Sequence, residues 1–400
     1  MMIFAMLVVL LIVNLVLLVP VAVFAIEVVA ATTRRRADRP AAPETRPDVA
    51  VVVPAHQEEG CIGRTIAALQ SQLRAGDRLL VVADNCSDAT AQLARDAGAE
   101  VVERHDDARR GKGFALDAGV RHLEAQPPAV VVIVDADCSL HPGSVDRLAA
   151  AVAASQRPVQ GLYLMQVPPG AGLGLQVAEF AFLVKNRVRP AGLLRLGLPC
   201  HLTGTGMAFP WAVMREADLA HSNLVEDMKL GLDLAMAGKA PLYCEAARVD
   251  SDFPYSEAGA ATQRRRWEEG HLGMIGLSLS RLPGALLSRR IDAVALALDT
   301  LVPPLTLLLL LVGAAFLSTL LATFAFGLPG AALWIAGANL GLILFALSLA
   351  WVVFGRRVLP ARSLVLVVPY VLRKLGLYVG LGLGRRSGGW IRTDRQGPKS

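Results

Sequence analysis

Apolar positions along this chain fall into three regimes. Residues 1–26 are almost wholly apolar, interrupted only by Asn14, and Thr32-Thr-Arg-Arg-Arg36 follows shortly after. That run is long enough to cross a bilayer as one helix. A second apolar zone opens near Leu296, where residues 300–325 and 331–354 each meet the same length rule on either side of Gly327-Leu-Pro-Gly330. A last apolar stretch, 363–384, carries Arg373-Lys374 at its middle. Two cations in hydrocarbon are expensive, whereas a helix lying in the interface keeps them wet, so this segment is expected in the interface, with a third C-terminal membrane helix as the alternative.

Between these zones short apolar runs alternate with amphipathic ones. Ala50–Ala55, Arg78–Asp84, Ala99–Glu103 and Val130–Asp137 read as strands; Glu58–Leu73, Asp88–Ala97 (after Ser87 as N-cap) and Gly113–Glu124 read as helices. Strands alternating with helices of this length predict a mostly parallel sheet flanked by helices. The expected organisation is an anchor at 1–30, a linker at 33–48, a catalytic domain at 49–275 and a connector at 276–298. Two membrane helices at 299–355, the interfacial stretch at 363–384 and a tail at 385–400 complete it.

Charge orients this layout. Of the 400 residues 54% are hydrophobic, too many for an ordinary soluble protein. The net charge of +6 sits mainly in Arg clusters beside the apolar segments, which points to anionic lipid and not to nucleic acid. The positive-inside rule places Arg34–Arg36 and Arg356-Arg357 in the cytoplasm, and with them everything from 33 to 295. A cleavable signal peptide is the competing reading of the first segment; no basic stretch precedes the apolar run, and the run exceeds the usual length. Five scattered cysteines without a C-x-x-C pair exclude a disulfide framework and a Cys-rich zinc site.

Candidate chemistry gathers at the strand ends, where open α/β sheets bind ligands. His56-Gln-Glu58, Asp84-Asn-Cys-Ser-Asp88 and the pair Asp135, Asp137 each read as turn chemistry alone. Together they place at least three carboxylates on one sheet edge. Two acids two apart on an extended strand face the same way and suit a hard divalent cation; a polar turn is the alternative. No G-x-G-x-x-G follows the first strand and no P-loop occurs, which argues against a dinucleotide fold and a P-loop ATPase.

Pro54-x-x-x-Glu58, Asp84-Asn-x-Ser-Asp, Gly111-Lys-Gly113, Asp135-Ala-Asp137, Thr203-Gly-Thr-Gly206, Glu226-Asp227 and Gln263-x-x-Arg-Trp267 stand in one order. Over roughly 49–275 that order resembles the membrane-bound family 2 glycosyltransferases, among them the cellulose, chitin and hyaluronan synthases and the ceramide glucosyltransferases. The resemblance implies a GT-A fold and an inverting transfer from a nucleotide-diphosphate sugar, UDP-linked in this reading. It implies Pro54, Glu58, Asp84 and Lys112 around the nucleotide, Asp135 on the sugar-nucleotide, and Asp137 with Asp135 on Mg2+ or Mn2+. It further implies Asp227, beside Glu226, as the base, and Gln263, Arg266 and Trp267 on a helix over 257–271 that reaches donor and acceptor. Thr203, Gly204 and Gly206, with Trp267, belong to the acceptor side.

The bland alternatives are a helix N-terminus for Glu226-Asp227 and snorkelling arginines for 264–266. Three spans are few for a polymer channel, which favours addition to a lipid-linked or membrane-associated glycan acceptor; the Gln263-Arg266-Trp267 signature pulls toward a processive synthase with partner subunits. A catalytically idle scaffold and a soluble nucleotidyltransferase leave these motifs unexplained.

Overall fold

The computed structural model describes residues 1–33, 46–168, 170–221, 225–254, 257–376 and 378. Eight strands form one sheet: β1 Val49–Ala55, β2 Arg78–Asp84, β3 Glu100–Arg104, β4 Val130–Ile133, β5 Ser139–Leu140, β6 Val159–Gln166, β7 Met207–Pro210 and β8 Leu242–Asp252. Their spatial order is β3-β2-β1-β4-β7-β6-β8-β5. β1 to β4 pair in parallel, as alternation with helices requires, while β7 runs antiparallel to both β4 and β6. β1 and β4 lie at the centre of this half, and their continuous valine runs are buried on both faces. One edge thereby collects the ends of β1, β2 and β4.

Several boundaries differ from those expected. β4 stops at Ile133, so Asp135 and Asp137 stand in the turn beyond it and not on an extended strand. The turn forms because Cys138 N–H donates to the Asp135 carbonyl and Asp135 N–H donates to Thr205 Oγ1, 3.1 Å away. The helix expected from Glu58 begins at Ile62, leaving Glu58 in the preceding turn. Asp88, and not Ser87, supplies the acceptor for the first amide of helix Thr90–Asp96.

Three helices, Met2–Thr32, Leu305–Phe326 and Ala331–Gly355, are long and apolar enough to cross a membrane. They pack together through polar contacts that hydrocarbon would otherwise leave unsatisfied. Asn14 Nδ2 donates to Thr319 Oγ1 at 3.1 Å, and Asn339 Nδ2 donates to the Asn14 carbonyl at 2.9 Å. Large apolar side chains such as Val9, Leu321, Phe324 and Trp334 face outward.

The expected connector at 276–298 is instead continuous with the catalytic layer. Helix Glu257–Leu287 runs well past His271, and helix Ile291–Thr300 folds back beside it. Met274, Ala285, Ala293 and Leu296 from these two bury against Met228 and Leu232 of helix Glu226–Met236. Near the end of the chain a 3₁₀ turn, Ala361–Leu366, leads into the short helix Val367–Arg373. Lys374 pairs with Glu268 at 3.0 Å, so one of the two mid-segment cations is docked on protein. The expected linker over 34–45, with Arg34–Arg36, and the tail at 385–400 lie outside the described residues.

Candidate active site

A cavity of about 210 Å³ opens on the sheet edge formed by the ends of β1, β2 and β4. Pro54 and Glu58 follow β1, Asp84 ends β2, Lys112 opens a helix, and Asp135 and Asp137 follow β4; all six line this cavity. Arg266 reaches it from helix Glu257–Leu287, more than a hundred residues away in sequence. Asp84 is buried and accepts from Arg104 at 2.6 Å and Asn85 at 3.1 Å. Glu58 is fixed through its backbone, whose N–H donates to Thr90 Oγ1 at 2.8 Å.

Lys112 stands at the centre of the charged groups. Its ammonium pairs with Asp135 and donates to the Gly204 carbonyl at 2.6 Å. Burial favours the neutral amine, but Asp135, Glu226 and Asp227 outweigh it and raise the pKa. The loop that accepts this bond needs its glycines: Gly204 has φ +89° and Gly206 φ +62°, where a Cβ would also come 2.5 Å from Val249. Gln160 braces the same loop, accepting from Thr203 N–H at 2.8 Å and donating to the Thr205 carbonyl at 2.9 Å.

Asp135, Asp137 and Cys138 offer ligand atoms within 4.8 Å of one another. The two carboxylates suit a hard cation such as Mg2+ or Mn2+. Cys138 does not: burial pushes its thiol pKa up, keeping it protonated.

Glu226 and Asp227 open helix Glu226–Met236 and line a small recess that shares Lys112 with the larger cavity. They are therefore one lysine away from the larger cavity, not on its wall. Burial, then the neighbouring Asp227, raises the Glu226 carboxyl to about 7. Burial also raises Asp227, against the opposing pull of Lys185 and Lys112. Asp227 Oδ1 accepts from Met228 N–H at 2.8 Å, which fixes one oxygen and leaves the other beside Gly204.

Helix Glu257–Leu287 separates two cavities. Arg266 faces the first, while Arg264, Trp267, Glu268 and His271 share the opposite stripe and line a second cavity of about 120 Å³. Trp267 packs on Phe182, ring centroids 5.7 Å apart, and so lies in the second cavity and not in the first. Gln263 is buried and lines neither cavity. Sequence reasoning gave no role to Thr205, whose hydroxyl holds the Asp135 turn, or to Lys185, which shares a helical stretch with Arg187 and Arg189 and so did not stand out from them.

The family model described as "Glycosyltransferase like family 2" matches residues 47–270, more than half of the chain. The chain belongs to that family. An uncharacterized glycosyltransferase of Mycobacterium bovis is 38% identical over 147 residues, 35% of this chain and 62% of the relative. The chain thus spans about six tenths of the length of the curated relatives it matches first. A probable glycosyltransferase of Bacillus subtilis is 32% identical over 99 residues, 23% of each chain. Among solved structures, a mannosyltransferase from Pyrobaculum calidifontis in complex with GDP-Man and Mn2+ superposes with a TM-score of 0.50. It is 18% identical and covers 86% of this chain and 98% of its own, a likeness of fold. The mixed sheet of this family 2 chain is thus of the GT-A type.

Proposed function

We propose that this chain is an inverting glycosyltransferase at the cytoplasmic face of a membrane. It takes a sugar from a nucleotide-diphosphate donor, UDP-linked in our reading, and passes it to a lipid-linked or membrane-associated glycan, in exopolysaccharide, glycolipid or other envelope synthesis. The observation that carries this is Lys112, which joins Asp135 of the donor pocket to the carboxylate pair Glu226-Asp227. Leaving-group and base halves of one reaction are thereby adjacent.

The roles follow from position. Pro54, Glu58 and Asp84 border the nucleoside end of the cavity, and Asp135 and Arg266 its diphosphate and sugar end. Asp137 with Asp135 would hold the divalent cation, which supplies charge neutralisation for the departing diphosphate. Arg266 is half-buried and offers a fork of donors to phosphate oxygens. An acceptor hydroxyl oxygen forms the new bond to the anomeric carbon as the bond to the diphosphate breaks on the opposite face. Its proton passes to Asp227, whose carboxyl burial makes more basic than an ordinary aspartate.

A screen of nucleotide-sugars against the full chain in detergent tests this, reading metal-dependent donor hydrolysis and transfer. Asp227→Asn is expected to lose roughly 10²–10⁴ in transfer rate while keeping nucleotide binding. Full transfer by that variant would remove Asp227 from the role of base. Product length separates addition of one or a few sugars from processive synthesis, which the Gln263-Arg266-Trp267 signature favours.

A further inference from the structure

Two apolar cavities adjoin on the membrane side of the helix that carries Trp267. The first, of about 120 Å³, is lined by Lys185, Arg264 and Trp267 among others. The second, of about 180 Å³, lies between the membrane helices, with Leu309, Leu347 and Trp351 in its wall. Val177, Ala181, Leu305 and Thr306 belong to both, so they form one apolar groove from the bilayer zone toward the active site.

The charges in the inner cavity are lopsided. Lys185, Arg189, Arg264 and Lys374 line it, against a single acid, Glu268. Lys374 is matched by Glu268. Arg189 turns away to Glu27 of the first membrane helix and to Asp299. Two cations remain. Lys185 has no hydrogen-bond or ion-pair partner among the described residues, and Arg264 donates only to the Gly174 carbonyl, 3.5 Å away. Lys185 is exposed, and its side chain lines the cavity. Its strongest attractive partner is the base, Asp227. Two cations without an acidic partner on the wall of an otherwise apolar cavity suit an anion that carries an apolar group.

We propose that the acceptor is a lipid-linked sugar with a phosphate between chain and sugar: the apolar chain lies in the groove, the phosphate sits on Lys185 and Arg264, and the sugar hydroxyl points past Lys185 to Asp227. This rests on the glycosyltransferase reading and narrows its acceptor to an anionic single-chain lipid. Trp267, which lines the cavity with the two cations, offers the sugar a flat face. The bond formed and the proton transferred are those of the reaction above; the phosphate takes no part in the chemistry and sets position alone.

The test uses the full chain in nanodiscs and a probe that needs no turnover. Dodecyl phosphate is titrated against dodecanol and inorganic phosphate, with Trp fluorescence as readout. Dodecyl phosphate is expected to bind at least tenfold more tightly than either part. The double variant Lys185→Gln, Arg264→Gln should lose at least tenfold, and Ala181→Trp, which fills the shared wall, should block binding. UDP binding with Mn2+ is measured on the same variants and is expected unchanged, which separates a misfolded chain from a lost site. Equal binding of dodecanol, or no loss in the double variant, would overturn the proposal. So would displacement of the probe by phosphatidylglycerol at equal concentration, since the cations would then serve bilayer headgroups. A chain that binds the probe but transfers no sugar would overturn the parent reading and leave the lipid-phosphate site standing.

Discussion

At the scale of single residues, the pair Glu226-Asp227 sets how this site should respond to pH. Asp227 can accept a proton only when ionised, and burial holds both carboxyls above the ordinary carboxylate range. Lowering the pH through the raised values protonates the pair, so the acidic limb of kcat/KM should lie above the ordinary pKa of an aspartate. Each negative charge makes the other harder to form. Glu226→Gln removes one of them, and the acidic limb should then move to lower pH in a pH–rate profile. A limb that stays put would show that Asp227 titrates independently of its neighbour. Stability carries the opposite sign. The folded pair keeps protons that the unfolded chain releases, so its contribution is full at low pH and lost as pH rises through the folded value, about 7 for Glu226. Thermal melts of Glu226→Gln should depend less on pH between 5 and 8 than those of the parent chain.

At the scale of elements, the catalytic layer is tied to the first membrane helix by close packing as well as charge. Helix Arg189–Arg195 lies so near helix Met2–Thr32 that a Cβ on Gly192 would stand 1.9 Å from the Glu27 carbonyl oxygen. Backbone cannot yield as a side chain can, so Gly192→Ala should cost about 1–3 kcal/mol by overpacking. Gly273→Ala, within helix Glu257–Leu287 with nothing inside 4 Å, should be neutral or stabilising by up to about 1 kcal/mol. Thermal unfolding in detergent compares the two; equal effects would mean that the first helix contributes no tight contact. This joint also marks where sequence reading stopped. The three spans and the parallel half of the sheet were legible because their signals, apolar length and strand-helix alternation, are local. The Asp135 turn was over-read as strand because the hydrogen bond that bends it comes from Thr205, seventy residues on. The cluster of Glu27, Arg189, Asp299 and His201 was invisible for the same reason, its members being separated by up to 272 residues and joined only by the fold. The site motifs were legible as an ordered set, but their partition between two cavities was not, since that depends on which face of one helix Arg266 and Trp267 occupy.

For the whole molecule, the donor pocket, the base and the apolar groove make sense only if the sheet stands on the side of the membrane where activated sugars occur. The groove runs from between the spans to Lys185, so the acceptor would enter from the bilayer while the donor enters from water at the opposite face of helix Glu257–Leu287. The positive-inside rule would put Arg356-Arg357, after the third span, on that same side, and the turn around Gly330 would then lie across the bilayer from them. Cysteine labelling decides this. In a background with the five native cysteines replaced, Ala125→Cys, on the exposed turn after helix Lys112–Leu123, should react with a membrane-impermeant maleimide only after cells are opened. Gly330→Cys, exposed at the start of the third span, should react in intact cells. The reverse pattern would put the nucleotide pocket outside, where soluble nucleotide-sugars are scarce, and would sink the proposed reaction along with the topology. A pattern as expected would fix the direction of the transfer, with water-borne donor on one side of Asp227 and bilayer-borne acceptor on the other.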